Sequence, residues 1–180
     1  MEQKTDESVV INSDWWLVSP LQAYFLSIIT LNIFVAFWVG INWSKYKKTT
    51  GEKIRPFWRG WFYILYIDPL FKRMLTFTNS RGQTTKFSHS TLALFFILFS
   101  IGSDIIAKLP NLYGEVGALL FWFLSPLPIY YVQKNINQAS TLTASEHKIM
   151  RISGVDILLI VVLTVLMLLM LCGILIKFLT

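Results

Sequence analysis

Three sets of residues could carry chemistry in this chain. Asp104 and Lys108 lie four apart, acid first, the order that favours pairing on a helix, and Glu115 follows just beyond a short turn. Such a polar cluster in an apolar setting could form the mouth of an ion or substrate path, or it could be a snorkelling pair that fixes a helical hairpin. His89 and Ser125 are a base and a nucleophile of the types a lipid-acting hydrolase would need. The third set is the stretch GEKIRPFWRGWFYILYIDPLFKRM, residues 51–74, where Lys53, Arg55, Arg59, Lys72 and Arg73 surround Trp58 and Trp61. Cations beside amphipathic rings suit the headgroup level of a bilayer, where each ring has one wet end.

The elements that must hold these residues are apolar. Of 180 residues, 54% are hydrophobic and 14% charged, and mean hydropathy is +0.56, a balance that belongs to membrane proteins. Four stretches are each about 20 residues long, the length a helix needs to cross a hydrocarbon core of about 30 Å. They are 21–41, 91–109, 113–132 and 155–178, the third interrupted near its end by Pro126 and Pro128. The leading tail carries Glu2, Asp6, Glu7 and Asp14, unlike the basic start of a cleavable signal. The expected architecture is an all-α membrane protein of one domain. It has an outside tail over 1–20, four spans, a basic cytoplasmic loop over 42–90 and a second cytoplasmic loop over 133–154.

Orientation follows from the cations. Lys45, Lys47, Lys48, Lys53, Arg55, Arg59, Lys72, Arg73, Arg81 and Lys86 fall in the first loop, and Lys134, Lys148 and Arg151 in the second. The positive-inside rule places both loops in the cytoplasm and both termini outside. Net charge is +6, and topology accounts for it without a nucleic-acid partner.

Within the first loop, Pro56 suits a first helical position, and Asp68-Pro69 repeats that start signal. The spacing predicts a broken helix over 56–74, too short to cross, lying in the interface or dipping in as a re-entrant segment. Ser88, Ser90 and Thr91 read as the start of the second span.

In order, Ser19-Pro20, Asn42-Trp43, Thr50-Gly51-Glu52, Pro56-Phe57-Trp58-Arg59, Leu70-Phe71-Lys72-Arg73 and Val132-Gln133-Lys134-Asn135-Ile136-Asn137 form a pattern. Over residues 15–140 it resembles a family of uncharacterised bacterial multi-pass inner-membrane proteins. The resemblance implies one shared membrane-embedded architecture in a bacterial inner membrane, and brings no activity with it.

Catalytic motifs are missing: there is no nucleophile elbow, no metalloprotease helix, no phosphate loop and no dinucleotide fingerprint. Cys172 is the single cysteine and the histidines are His89 and His147, so neither a disulfide framework nor a metal site is expected. The expectation is a non-catalytic accessory or scaffold protein without cofactor. It binds anionic lipid headgroups, or a partner protein or second copy, through Lys53, Arg55, Trp58, Arg59, Trp61, Lys72 and Arg73. A small transporter or channel with the outer cluster Asp104, Lys108 and Glu115 is the alternative, and a lipid-acting enzyme using His89 and Ser125 the next.

Overall fold

A computed structural model describes residues 14–109 and 112–141, together with Val165. Every regular element among the described residues is a helix, with no strand: α1 Pro20–Ile29, α2 Ile33–Thr50, α3 Pro56–Trp61, α4 Tyr63–Ser80, α5 His89–Ile106, α6 Leu112–Leu124 and α7 Leu127–Thr141. Among the described residues two stretches are long and apolar enough to cross a membrane, His89–Ile106 and Gly114–Ser140, against three expected there. The segment 155–178 and loop residues 142–154 lie outside the described residues, Val165 apart.

The expected first span over 21–41 is not one helix. α1 stops at Ile29, and Asn32 N–H donates to Ser27 O at 2.8 Å while Leu31 N–H donates to Ile28 O at 3.2 Å. This paired pattern is a Schellman stop, with Leu31 at φ 52° in the position glycine usually fills and Asn32 at φ 65°. Thr30 closes the corner: its hydroxyl donates to Leu26 O at 2.6 Å and accepts from Phe34 N–H at 2.9 Å. The chain then reverses. Trp16 N–H donates to Asn42 Oδ1 at 3.0 Å, although a straight helix would set those residues about 39 Å apart. Residues 14–19 therefore sit at the same end of the molecule as 42–50, where Asp14 pairs with Lys45 at 2.9 Å. The expectation of one continuous helix over 21–41 is corrected by this hairpin.

Leucine in the left-handed region is strained by roughly 1 kcal/mol relative to glycine. Leu31→Gly is thus expected to raise stability by about that amount, since Leu31 is exposed and gives up little packing. In an uninterrupted helix the same change would lower stability by about 1 kcal/mol, so thermal unfolding in detergent reads the hairpin by its sign.

The basic loop departs from expectation in a similar way. α2 runs on to Thr50 and ends at Gly51, φ 74°, whose N–H donates to Lys47 O at 2.9 Å. Residues 51–55 then lead back along α2, and α3 begins at Pro56 as its fixed φ predicts. α3 lies antiparallel to α2 at the level of Ala36 and Gly40, so close that a Cβ on Gly60 would stand 2.7 Å from Ala36 O. The break expected at Asp68-Pro69 falls instead at Phe62, and α4 carries Pro69 in its interior. Ile67, Leu70, Phe71, Met74, Leu75 and Phe77 are buried on one face of α4, and that packing holds the helix together across the missing proline donor.

α5 starts as the sequence indicates, with Ser88 Oγ accepting from Thr91 N–H at 3.1 Å. The Pro126–Pro128 region breaks the next stretch at Ser125-Pro126. Pro128 enters α7 in its first turn, where no donor is needed. α7 continues to Thr141, so residues 133–141 are helix rather than loop, with Gln133, Ile136 and Ala139 buried.

A closed set of polar contacts holds the N-terminal strap 14–19 to this bundle. Asn42 Nδ2 donates to Trp38 O at 2.8 Å, and Trp38 Nε1 donates to Gln133 Oε1 at 2.8 Å. Gln133 Nε2 donates to both Trp16 O, 3.1 Å, and Asn137 Oδ1, 2.8 Å; Asn137 Nδ2 donates to Val18 O at 2.8 Å. Asn42, Trp38 and Gln133 are all fully buried, so each amide replaces water at a strap carbonyl or N–H that would otherwise be orphaned. Ser19-Pro20, Asn42-Trp43 and Val132–Asn137, pieces of the pattern noted above, meet here.

Candidate functional site: a basic aromatic face

The seven residues proposed for lipid or partner binding divide into two groups. Arg59 and Arg73 are tied inward. The Arg59 guanidinium lies 4.0 Å from the centre of the Trp43 ring and 5.3 Å from that of Tyr66, while Arg73 lies 5.0 Å from Trp43 and 4.9 Å from Tyr46. Trp43 and Tyr46 are themselves fully buried, edge to face at 5.6 Å, and Trp15 of the strap stacks on Tyr46 at 6.0 Å. Glu52 accepts from the Tyr46 hydroxyl at 3.0 Å and stands 3.9 Å from Arg73. Partial burial holds the Arg59 pKa below its ordinary value, and repulsion from Arg73 adds to the effect. Two cations on one indole are each stabilised by about 0.5–2 kcal/mol, and they brace α3 and α4 against α2.

Lys53, Arg55 and Lys72 are exposed, and so are Trp58 and Trp61. On α3, Phe57 stacks on Trp61 at 6.3 Å and Trp58 on Phe62 at 5.9 Å, two face-to-face pairs at i,i+4 spacing. Phe57, Trp58, Trp61 and Phe62 are 70%, 49%, 68% and 49% exposed and form one apolar row, with Leu65 71% exposed on α4.

His89 and Ser125 are not drawn together. Asp104 and Lys108 are both exposed near the end of α5 and form no ion pair with each other, and Glu115 is half-buried in α6. His89 Nδ1 lies 2.9 Å from Asp68 Oδ1 and 3.1 Å from Ser90 Oγ, so its partner is an acid on α4. Ser125 is fully buried and its hydroxyl donates to Trp122 O at 3.0 Å, capping α6. Among the described residues no cluster of three metal-ligating side chains occurs.

Sequence reasoning missed Trp43 and Tyr46 as the seats of the arginines, and Gln133 as the centre of the buried polar set. The available signal was the placement of amides at the ends of apolar stretches, where an unpaired polar group is expensive and so must have a partner. No protein-family model, curated protein or solved structure matches this chain.

Proposed function

We propose that this is a non-catalytic, membrane-embedded protein that binds anionic lipid headgroups through its basic aromatic face. The observation that carries the reading is the exposed ring row Phe57, Trp58, Trp61 and Phe62, which follows the exposed cations Lys53 and Arg55 along the chain, with Lys72 exposed on α4. It occurs in a chain whose described residues include two stretches long and apolar enough to cross a bilayer. Phe57 and Trp58, next to Pro56 at the basic end, suit the headgroup boundary while Trp61 and Phe62 lie deeper along α2, and the cations favour an acidic leaflet. On this reading α5 and the Gly114–Ser140 stretch cross, while α1–α2 and α3 enter from the basic face and return. The non-helical turns at the hairpin tip then remain satisfied by Thr30 and Ser27. An inner, cytoplasmic-facing leaflet is the natural surface for this face, and the resemblance to bacterial inner-membrane proteins agrees with that placement.

Each cation near an acidic surface contributes about 1 kcal/mol, so replacing Lys53, Arg55 and Lys72 together with glutamine is expected to weaken preference for acidic over zwitterionic lipid by on the order of 100-fold. Native mass spectrometry of the purified protein titrated with defined lipids measures that preference. Arg59→Gln, by contrast, is expected to lower stability by about 1 kcal/mol and leave lipid preference nearly unchanged. An unchanged preference in the triple variant would reduce the face to a simple anchor.

A further inference from the structure

Beside the ring row lies a groove of about 640 Å³ between α2 and α3. Its floor is Ala36, Gly40 and Gly60, where the two backbones come closest, and Phe37, Ile41 and Trp61 line its walls. Resting on the headgroup reading and going beyond it, we propose that this groove holds one acyl chain of an anionic phospholipid, with the phosphate at Lys48 and Arg55.

Three observations select that occupant. The first is length. From Ile33 at one end of the groove to Ser44 at the other, α2 rises about 16 Å, close to half of a hydrocarbon core of about 30 Å, the depth of one leaflet. The second is polarity along the groove. Ser44 and Pro56 close the end nearest the basic face; Lys48 follows Ser44 by four residues on the same side of α2, and Arg55 precedes Pro56. Both cations are exposed, so an apolar slot ends in two free positive charges. The third is chemistry within the slot: apart from Asn32 at the hairpin tip and Ser44 at the mouth, its lining is predominantly aliphatic and aromatic. A polar solute would find few partners there, whereas a hydrocarbon chain loses nothing. The glycine pair matters because side chains at positions 40 and 60 would fill the floor.

The test is photo-crosslinking of the full chain in bilayers holding equal amounts of a phosphatidylglycerol and a phosphatidylcholine. p-Benzoylphenylalanine is placed at Phe37 in the groove or, as a lipid-facing control, at Leu98 on α5, both exposed. The expected result is a phospholipid adduct at position 37 enriched at least five-fold in phosphatidylglycerol, with no such enrichment at position 98. Ser44→Phe, which blocks the mouth, is expected to reduce the adduct at position 37 at least five-fold and to leave position 98 unaffected. Adducts from position 37 to residues 155–178 of the same chain, or to a second copy, would overturn the proposal, as would insensitivity to Ser44→Phe. Equal yields of the two lipids, with sensitivity to Ser44→Phe retained, would overturn the headgroup reading and leave a groove for acyl chains of any lipid.

Discussion

Gln133→Leu is expected to destabilise the protein by about 3 kcal/mol or more, although leucine is close in size and suits an apolar helix. The substitution leaves the buried Trp38 Nε1 without its acceptor and the part-buried Trp16 O and Asn137 Oδ1 without their donor. An unsatisfied buried group costs about 1–3 kcal/mol, and here one is created together with two part-buried ones. The effect should also be local in origin. Trp16 and Val18 belong to the strap, so its detachment precedes loss of the bundle and exposes Trp15 and Tyr46. Hydrogen exchange at residues 14–19, together with the melting temperature in detergent, separates the two stages. A variant that melts within 1 °C of the parent would mean that the amide set contributes nothing to the fold.

The second large effect concerns two glycines that face each other and respond differently. A Cβ on Gly60 would lie 2.7 Å from Ala36 O and 3.0 Å from Gly40 Cα, both backbone atoms that cannot rotate away. A Cβ on Gly40 would meet Gly60 Cα and Pro56 O at 3.6 Å, ordinary contact. Gly60→Ala is therefore expected to push α3 off α2 at a cost of about 1–3 kcal/mol, with Gly60→Leu worse. Gly40→Ala is expected to be neutral or slightly stabilising, because alanine is the better helix former by about 1 kcal/mol. Paired thermal melts measure the contrast, and equal behaviour of the two alanine variants would contradict the close packing of α3.

These cases show which features the sequence made legible. Strong local signals carried through: Ser88 capping α5, Pro56 opening α3, and the apolar periods of α5 and the 113–132 region. The helix stop at Leu31 did not, because it uses leucine and asparagine in left-handed conformation where a glycine or proline would have announced it. Read by hydropathy alone, 21–41 looks continuous, and only the return contact from Trp16 to Asn42 reveals the reversal. The fold-back of α3 was hidden for a related reason. Close approach depends on the absence of side chains at Gly40 and Gly60, twenty residues apart and unremarkable separately. Among the candidate site residues, Lys53, Arg55, Lys72, Trp58 and Trp61 are exposed. The inward turn of Arg59 and Arg73 depends on Trp43 and Tyr46, whose burial no local pattern encodes.

The proposed mode of lipid engagement rests on α1 and α2 entering and leaving by the same membrane face. Single cysteines at Asp14, Leu31 and Gly51, in a background with Cys172 replaced by serine, can be spin-labelled and read in sealed vesicles of known orientation. The expected result is label at 14 and 51 in water on one side, with label at 31 buried in hydrocarbon and accessible to oxygen. Labels at 14 and 51 on opposite sides would contradict the hairpin; label at 31 in water would contradict its insertion.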